Sequence, residues 1–192
     1  TLLSPFADAD GWHRSAGLAL EEADPGSILG DVRTTWRETA DGYRLRGRKQ
    51  AVVHAGDSDT AFYVVSARLE GVSDGPPEPL PPPDLRLFAV PADAEGLRAD
   101  PGGDQRLGLR TCGLGRLELE DVEVPRRAVL DGADDFAAAY ARLLARHQLW
   151  QAARNVGVAR AANEYAADYA QEREAFGRKI GQFQGLAFMI AE

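Results

Sequence analysis

The chain has 192 residues, 44% of them hydrophobic and 27% charged, enough to bury a core in one domain or two small ones, which excludes a disordered tail. No apolar run approaches the roughly 18 residues of a membrane helix and no leader-like segment opens the chain, so a soluble, cytoplasmic protein without a membrane partner is expected. The net charge of -8 falls entirely in residues 1–132, where 15 basic side chains face 23 acidic ones, and this acidity disfavours nucleic acid as a partner.

Up to about residue 130, short β-branched or aromatic runs alternate with Gly, Pro and Asp clusters, which predicts strands joined by turns. The clearest are Gly17–Leu20, Arg33–Arg37, Tyr43–Arg46, Gln50–His54, Ala61–Ala67, Leu85–Val90 and Arg116–Val124. Asp41-Gly42 between two of them is a hairpin signal. In Arg116–Val124, Leu117 and Leu119 alternate with Glu118 and Glu120, so one face is buried and the other wet, and Pro125 ends the strand. Gly75–Asp84 (GPPEPLPPPD) predicts an extended surface connector.

From Ala133 the composition turns to Ala, Leu, Arg, Glu and Gln. Phe136, Tyr140, Leu143, Leu144, His147 and Trp150 recur at helical spacing, and a run of small residues from Gly157 to Ala170 lets a long helix approach its neighbours closely. An apolar helix is expected from Phe183 to Ala191. The expected fold is α+β: an antiparallel barrel-like or sandwich β domain over residues 1–132, followed over 133–192 by the first helices of a four-helix bundle. The start at Thr1 and the stop at Glu192 inside an apolar helix suggest an excerpt of a longer protein, whose helical stripe would be aggregation-prone without the rest.

Several chemistries have no motif here. Cys112 is the single cysteine, and His13, His54 and His147 are too dispersed for a metal cluster, so neither a disulfide scaffold nor a metal site is expected. Gly113-Leu114-Gly115 lacks the third glycine of a dinucleotide fingerprint, and Gly47-Arg48-Lys49 lacks the Ser or Thr of a P-loop. There is no nucleophile elbow and no zinc-protease helix.

Three ordered segments resemble the acyl-CoA dehydrogenase family of flavoproteins. Ala19-Leu20-Glu21-Glu22-Ala23-Asp24-Pro25-Gly26-Ser27 is similar to the family's Thr-Glu-Pro-x-Ala-Gly-Ser, and Asp41 to Lys49 is similar to its Asp-Gly-Tyr hairpin and Gly-x-Lys strand. Leu117 to Pro125 matches the strand closing its middle β domain. Arg173-Glu174-Ala175-Phe176-Gly177-Arg178-Lys179-Ile180-Gly181-Gln182-Phe183-Gln184 resembles Arg-x-x-Phe-Gly-x-x-Ile-x-x-x-Gln. The resemblance implies FAD as cofactor, an acyl-CoA or related acyl thioester as substrate, and α,β-dehydrogenation: a carboxylate takes the α proton while the β hydride goes to the flavin. It implies a homotetramer or dimer, or a hetero-oligomer with a related subunit.

Carried over by position, the resemblance implies that Arg173, Phe176 and Gln184 would contact the FAD diphosphate of a neighbouring subunit, while Leu20, Glu21, Ser27, Ala51 and Val53 would face the subunit's own flavin. Ser27 matches the family's Gly-Ser serine, which touches cofactor or substrate. Here the second group departs from the family: Glu21 replaces a Thr, and Ala51-Val52-Val53 replaces Trp-x-Thr. A carboxylate about 4 Å from a ring that becomes anionic on reduction opposes that charge by up to about 4 kcal/mol at an effective dielectric of 20. This departure favours, as the alternative, a degenerate subunit that helps hold its partner's FAD. A third reading keeps the fold and changes the chemistry, to a flavin monooxygenase or a dehydrogenase of carrier-bound acyl groups. His147 falls where some branches place the catalytic Glu, and Gln148 where many have a substrate-binding Arg. The usual catalytic Glu is expected beyond residue 192.

Overall fold

The computed structural model describes residues 14–23, 32–72, 81–102, 107–108, 113–130 and 135–191. It divides into two compact units, Thr1–Ala139 and Tyr140–Glu192. Ser27, Cys112 and most of the proline-rich connector lie outside the described residues.

The first unit is a seven-stranded sheet: β1 (Ser15–Ala19), β2 (Thr35–Glu38), β3 (Gly42–Val53), β4 (Thr60–Leu69), β5 (Leu85–Pro91), β6 (Leu97–Asp100) and β7 (Leu114–Pro125). Their order is β1-β4-β2-β3-β7-β6, with β5 on the other edge of β4. The predicted all-antiparallel domain is corrected: β4 pairs in parallel with β1 along its first half and with β2 at Arg68 and Leu69, so the sheet is mixed. The physical reason is the stretch Leu20–Thr34, which is long enough to carry the chain across and set β1 and β2 end to end on one edge of β4. The α+β class stands. Only two α-helices occur among the described residues, so the expected four-helix bundle is not seen here.

The hairpin at Asp41-Gly42 forms as the sequence indicates, with Thr39 N–H donating to Gly42 O at 2.9 Å and Gly42 N–H to Thr39 Oγ1 at 3.1 Å. A Cβ at Gly42 would collide with Val124 O on β7, so the residue there has to be glycine. The two expected strands Tyr43–Arg46 and Gln50–His54 are one strand, β3, interrupted by a bulge. β6 is unforeseen; Leu97–Asp100 has no β-branched residue and becomes a strand because it pairs with Arg116–Leu119 of β7. Inside the sheet, Leu45, Val52, Val65, Phe88, Leu117 and Leu119 form the core, each worth about 1.5–3 kcal/mol of burial.

The long helix α1 (Phe136–Glu172) begins where Asp135 caps it, its Oδ1 accepting from Ala138 N–H at 2.9 Å. Its 37 residues are rich in strong helix formers, and Arg160–Glu164 at 2.7 Å adds an i,i+4 pair. A two-stranded hairpin follows, β8 (Glu174–Ala175) and β9 (Arg178–Lys179), then a 3-10 turn at Ile180–Gln182 and a second helix, α2 (Gln184–Ala191).

Candidate functional site

In the first unit the bulge in β3 makes the site's frame. Lys49 pairs with Leu117 and Val52 with Gly115, so Gln50 and Ala51 stand opposite the single residue Arg116. The extra residue drives Ala51 into the left-handed region, φ 54°, and turns it outward, exposed, between buried Lys49 and buried Val52. A non-glycine residue there carries about 1 kcal/mol or more of strain, and bulges of this kind recur beside functional sites. The segment after β1 runs along this bulge: Gln50 N–H donates to Glu21 O at 2.9 Å, and Gln50 Nε2 to Glu22 O at 2.9 Å. The structure thus brings Leu20, Glu21 and Ala51 together on one rim, with half-buried Val53 two residues further along β3. The Glu21 carboxylate is half-buried and has no hydrogen-bond or ion-pair partner among the described residues.

Beneath that rim lies a pair of residues that the sequence reading passed over. Lys49, 2% exposed, points its Nζ at Glu22 Oε1 (2.6 Å) and Ser66 Oγ (2.9 Å). The Glu22 carboxylate also accepts from Thr34 N–H (3.0 Å), Thr34 Oγ1 (2.7 Å) and Arg33 N–H (2.9 Å), while Ser66 Oγ donates to Leu20 O at 3.4 Å. Burial pushes the Lys49 ammonium down to about 8, against the upward pull of Glu22. Burial also opposes ionisation of Glu22, yet Lys49 and the Thr34 donors together hold its carboxyl below the usual range. The signal available in the sequence was parity: Lys49 shares the inward register of Leu45 and Gly47, an odd place for a lone charge.

In the second unit the candidate residues Arg173, Phe176 and Gln184 gather at the C-terminal end of α1. Arg173 N–H continues the helix pattern to Tyr169 O (2.9 Å), and Arg173 O accepts from Ile180 N–H (2.8 Å), which closes the hairpin at its base. Phe176 and Gly177 form its tip with φ of 53° and 79°, positive at both central positions as a two-residue hairpin of the primed kind requires. Phe176 is 95% exposed, and its ring meets Phe183 edge-on at 6.2 Å, next to the start of α2 at Gln184. The guanidinium of Arg178 lies over the Phe183 ring at 4.0 Å. Arg173 and Gln184 are exposed, and their side chains have no partner among the described residues. This end of the helix therefore offers a bare guanidinium, an amide and a strained, exposed aromatic ring, a donor set fitted to a diphosphate and a flat ring.

The two other residues singled out in the sequence lie on α1. His147 is half-buried, with Nε2 at 3.5 Å from Gln151 Nε2 and its ring 6.3 Å from that of Trp150. Gln148 is exposed.

The sheet of the first unit and the helices of the second define an α+β protein. The chain belongs to the acyl-CoA dehydrogenase family: the family's middle domain matches residues 17–122 and its C-terminal domain residues 136–192. It is 30% identical to the caffeyl-CoA reductase-Etf complex subunit CarC of Acetobacterium woodii, over 93% of this chain and 45% of that protein. It is 32% identical to an acyl-CoA dehydrogenase of Bacillus subtilis, over 96% of this chain and 46% of that one. Among solved structures, a glutaryl-CoA dehydrogenase from Mycobacterium smegmatis superposes with a TM-score of 0.74 at 28% identity, covering 99% of this chain and 48% of that chain. The chain spans about half the length of the curated relatives it matches.

Proposed function

We propose that this chain is part of a cytoplasmic, oligomeric FAD-dependent oxidoreductase that desaturates acyl-CoA thioesters between the α and β carbons. The observation that carries the reading is the clustering of Arg173, Phe176 and Gln184 around one hairpin, all three exposed and the Arg173 and Gln184 side chains without partners among the described residues, in a chain of this family. Bound FAD would supply the hydride acceptor. Arg173 would donate charge-assisted hydrogen bonds to its diphosphate, about 1.5–3 kcal/mol each, with Gln184 adding an amide donor and Phe176 an apolar platform. Leu20, Glu21, Ser27, Ala51 and Val53 would border the ring, and Ser27 and Gln148 would meet substrate. His147 is engaged along its own helix by Gln151, and we assign removal of the α proton to a carboxylate outside the described residues.

A second reading is favoured by one observation: the rim at the bulge offers an unpartnered carboxylate and a methyl group where a hydroxyl donor and an aromatic wall would suit a flavin. In that reading the chain lends Arg173 and Gln184 to a related subunit's FAD and binds its own poorly. Visible flavin absorbance per protomer, measured on the full-length protein alone and with any related subunit, separates the two. One FAD per protomer alone supports the enzyme; none alone with half occupancy in a mixed complex supports the lending subunit.

A further inference from the structure

The buried Lys49 is absorbed by neither reading, although it sits directly under the rim that both invoke. Its ammonium has two partners on two different elements, Glu22 at 2.6 Å on the segment after β1 and Ser66 at 2.9 Å on β4. Each partner in turn holds the rim. Ser66 Oγ donates to Leu20 O at 3.4 Å, and the Glu22 carboxylate takes the backbone N–H groups of Arg33 and Thr34, at 2.9 and 3.0 Å, which ties the same segment to the approach of β2. From above, Gln50 closes the frame with bonds to Glu21 O and Glu22 O, both at 2.9 Å.

A pair of charges used for stability alone is a poor choice, since burying both costs several kcal/mol and apolar residues of similar volume commonly do as well. What an ion pair with fixed hydrogen bonds supplies and an apolar contact does not is one defined geometry. The place where that geometry is spent is narrow. Leu20, Glu21 and Glu22 form no extended ladder of their own, and the bulge beside them already holds Ala51 in a strained conformation that persists only if its surroundings over-determine it.

The geometry points to Lys49 as a positioning residue: clamped between Glu22 and Ser66, it sets the backbone of Leu20–Glu22 against the β3 bulge and so fixes the shape of the cofactor-facing rim. The cofactor part of this inference rests on the flavin reading above. Lys49 itself touches neither cofactor nor substrate, and it acts through the three residues it orders.

The test uses the full-length protein and the variant Lys49→Met, with two quantities measured: FAD dissociation by visible absorbance, and hydrogen exchange by mass spectrometry. The expected result is FAD binding weakened about tenfold, the scale of one lost charged hydrogen bond. Exchange should be faster in peptides covering residues 18–23, 32–36 and 50–53, with those covering 85–91 and 117–124 at wild-type protection. Exchange accelerated equally in all these peptides would show a general stabiliser and overturn the proposal, as would unchanged exchange around the rim. Ser66→Ala keeps both charges and removes the Lys49–Ser66 bond together with the link to Leu20, and it decides by the same pattern if Lys49→Met does not fold. A wild-type protein that binds no FAD defeats the flavin reading alone, because the exchange pattern still tells whether Lys49 orders the rim.

Discussion

Four non-glycine residues among those described sit at positive φ, Ala51, His54, Asp121 and Phe176, and two of them lie at the candidate site. Ala51 and Phe176 both sit at positive φ, 54° and 53°, and both are exposed. At such positions glycine removes the steric penalty, so the sign of a substitution reports what the side chain is for. Ala51→Gly should stabilise the full-length protein by about 0.5–1 kcal/mol in chemical denaturation and leave FAD affinity within a factor of about two. Phe176→Gly should stabilise the hairpin by a similar amount while weakening FAD binding about fivefold or more, because a 95% exposed ring has no folding role to lose. A drop in stability with Phe176→Gly would place the ring's value in packing on Phe183 instead. Glu21→Thr tests the rim from the other side: replacing an unpartnered half-buried carboxylate with a hydroxyl should raise flavin occupancy if that charge is what opposes the ring.

Among the elements, β3 is the one on which the site depends, and its chemistry makes a pH signature. Lys49 has a pKa of about 8 in the folded protein against an ordinary 10.5, so between those values the unfolded chain holds the proton more tightly. Stability from this group is therefore complete above 10.5 and is lost as pH falls through 8. Glu22, lowered from 4.5, contributes stability above 4.5 that is lost as pH falls through its folded value. Lys49→Met should flatten the alkaline limb and move the acid limb to higher pH, since Glu22 then lacks its counter-charge. Denaturation at fixed pH steps from about 2 to about 11 reads both limbs. A core change on the facing strand gives the contrast: Leu119→Ala should cost about 2–5 kcal/mol without altering either limb.

At the scale of the molecule, the fold class and most strands were legible because alternation and turn chemistry are local. Leu117 and Leu119 against Glu118 and Glu120 announced a half-buried strand, and Asp41-Gly42 announced its hairpin. The parallel partnership of β1 and β2 with β4 was not legible, because strand direction depends on where a long connection lands rather than on residue pattern. β6 escaped for the same reason, a strand made by its neighbour β7. The helical periodicity from Phe136 predicted α1, but of the stripe Phe136 to Trp150 only Tyr140 is buried and Trp150 is 54% exposed. The proposed oligomer and its flavin stoichiometry belong to this scale too, and absorbance per protomer is the measurement that assigns this chain to an enzyme or to a lending subunit.

By itself the sequence determined the family, the α+β class, the hairpin at Asp41-Gly42 and the spacing of Arg173, Phe176 and Gln184, because each of these is written in short-range spacing. Only the tertiary structure decided that the extra residue in β3 turns Ala51 outward in a left-handed conformation, and that Lys49 turns inward to meet Glu22 and Ser66 from two other parts of the chain. A bulge is a mismatch between two strands, and a buried charge is tolerated only where distant partners converge on it. Neither is a property of any one segment.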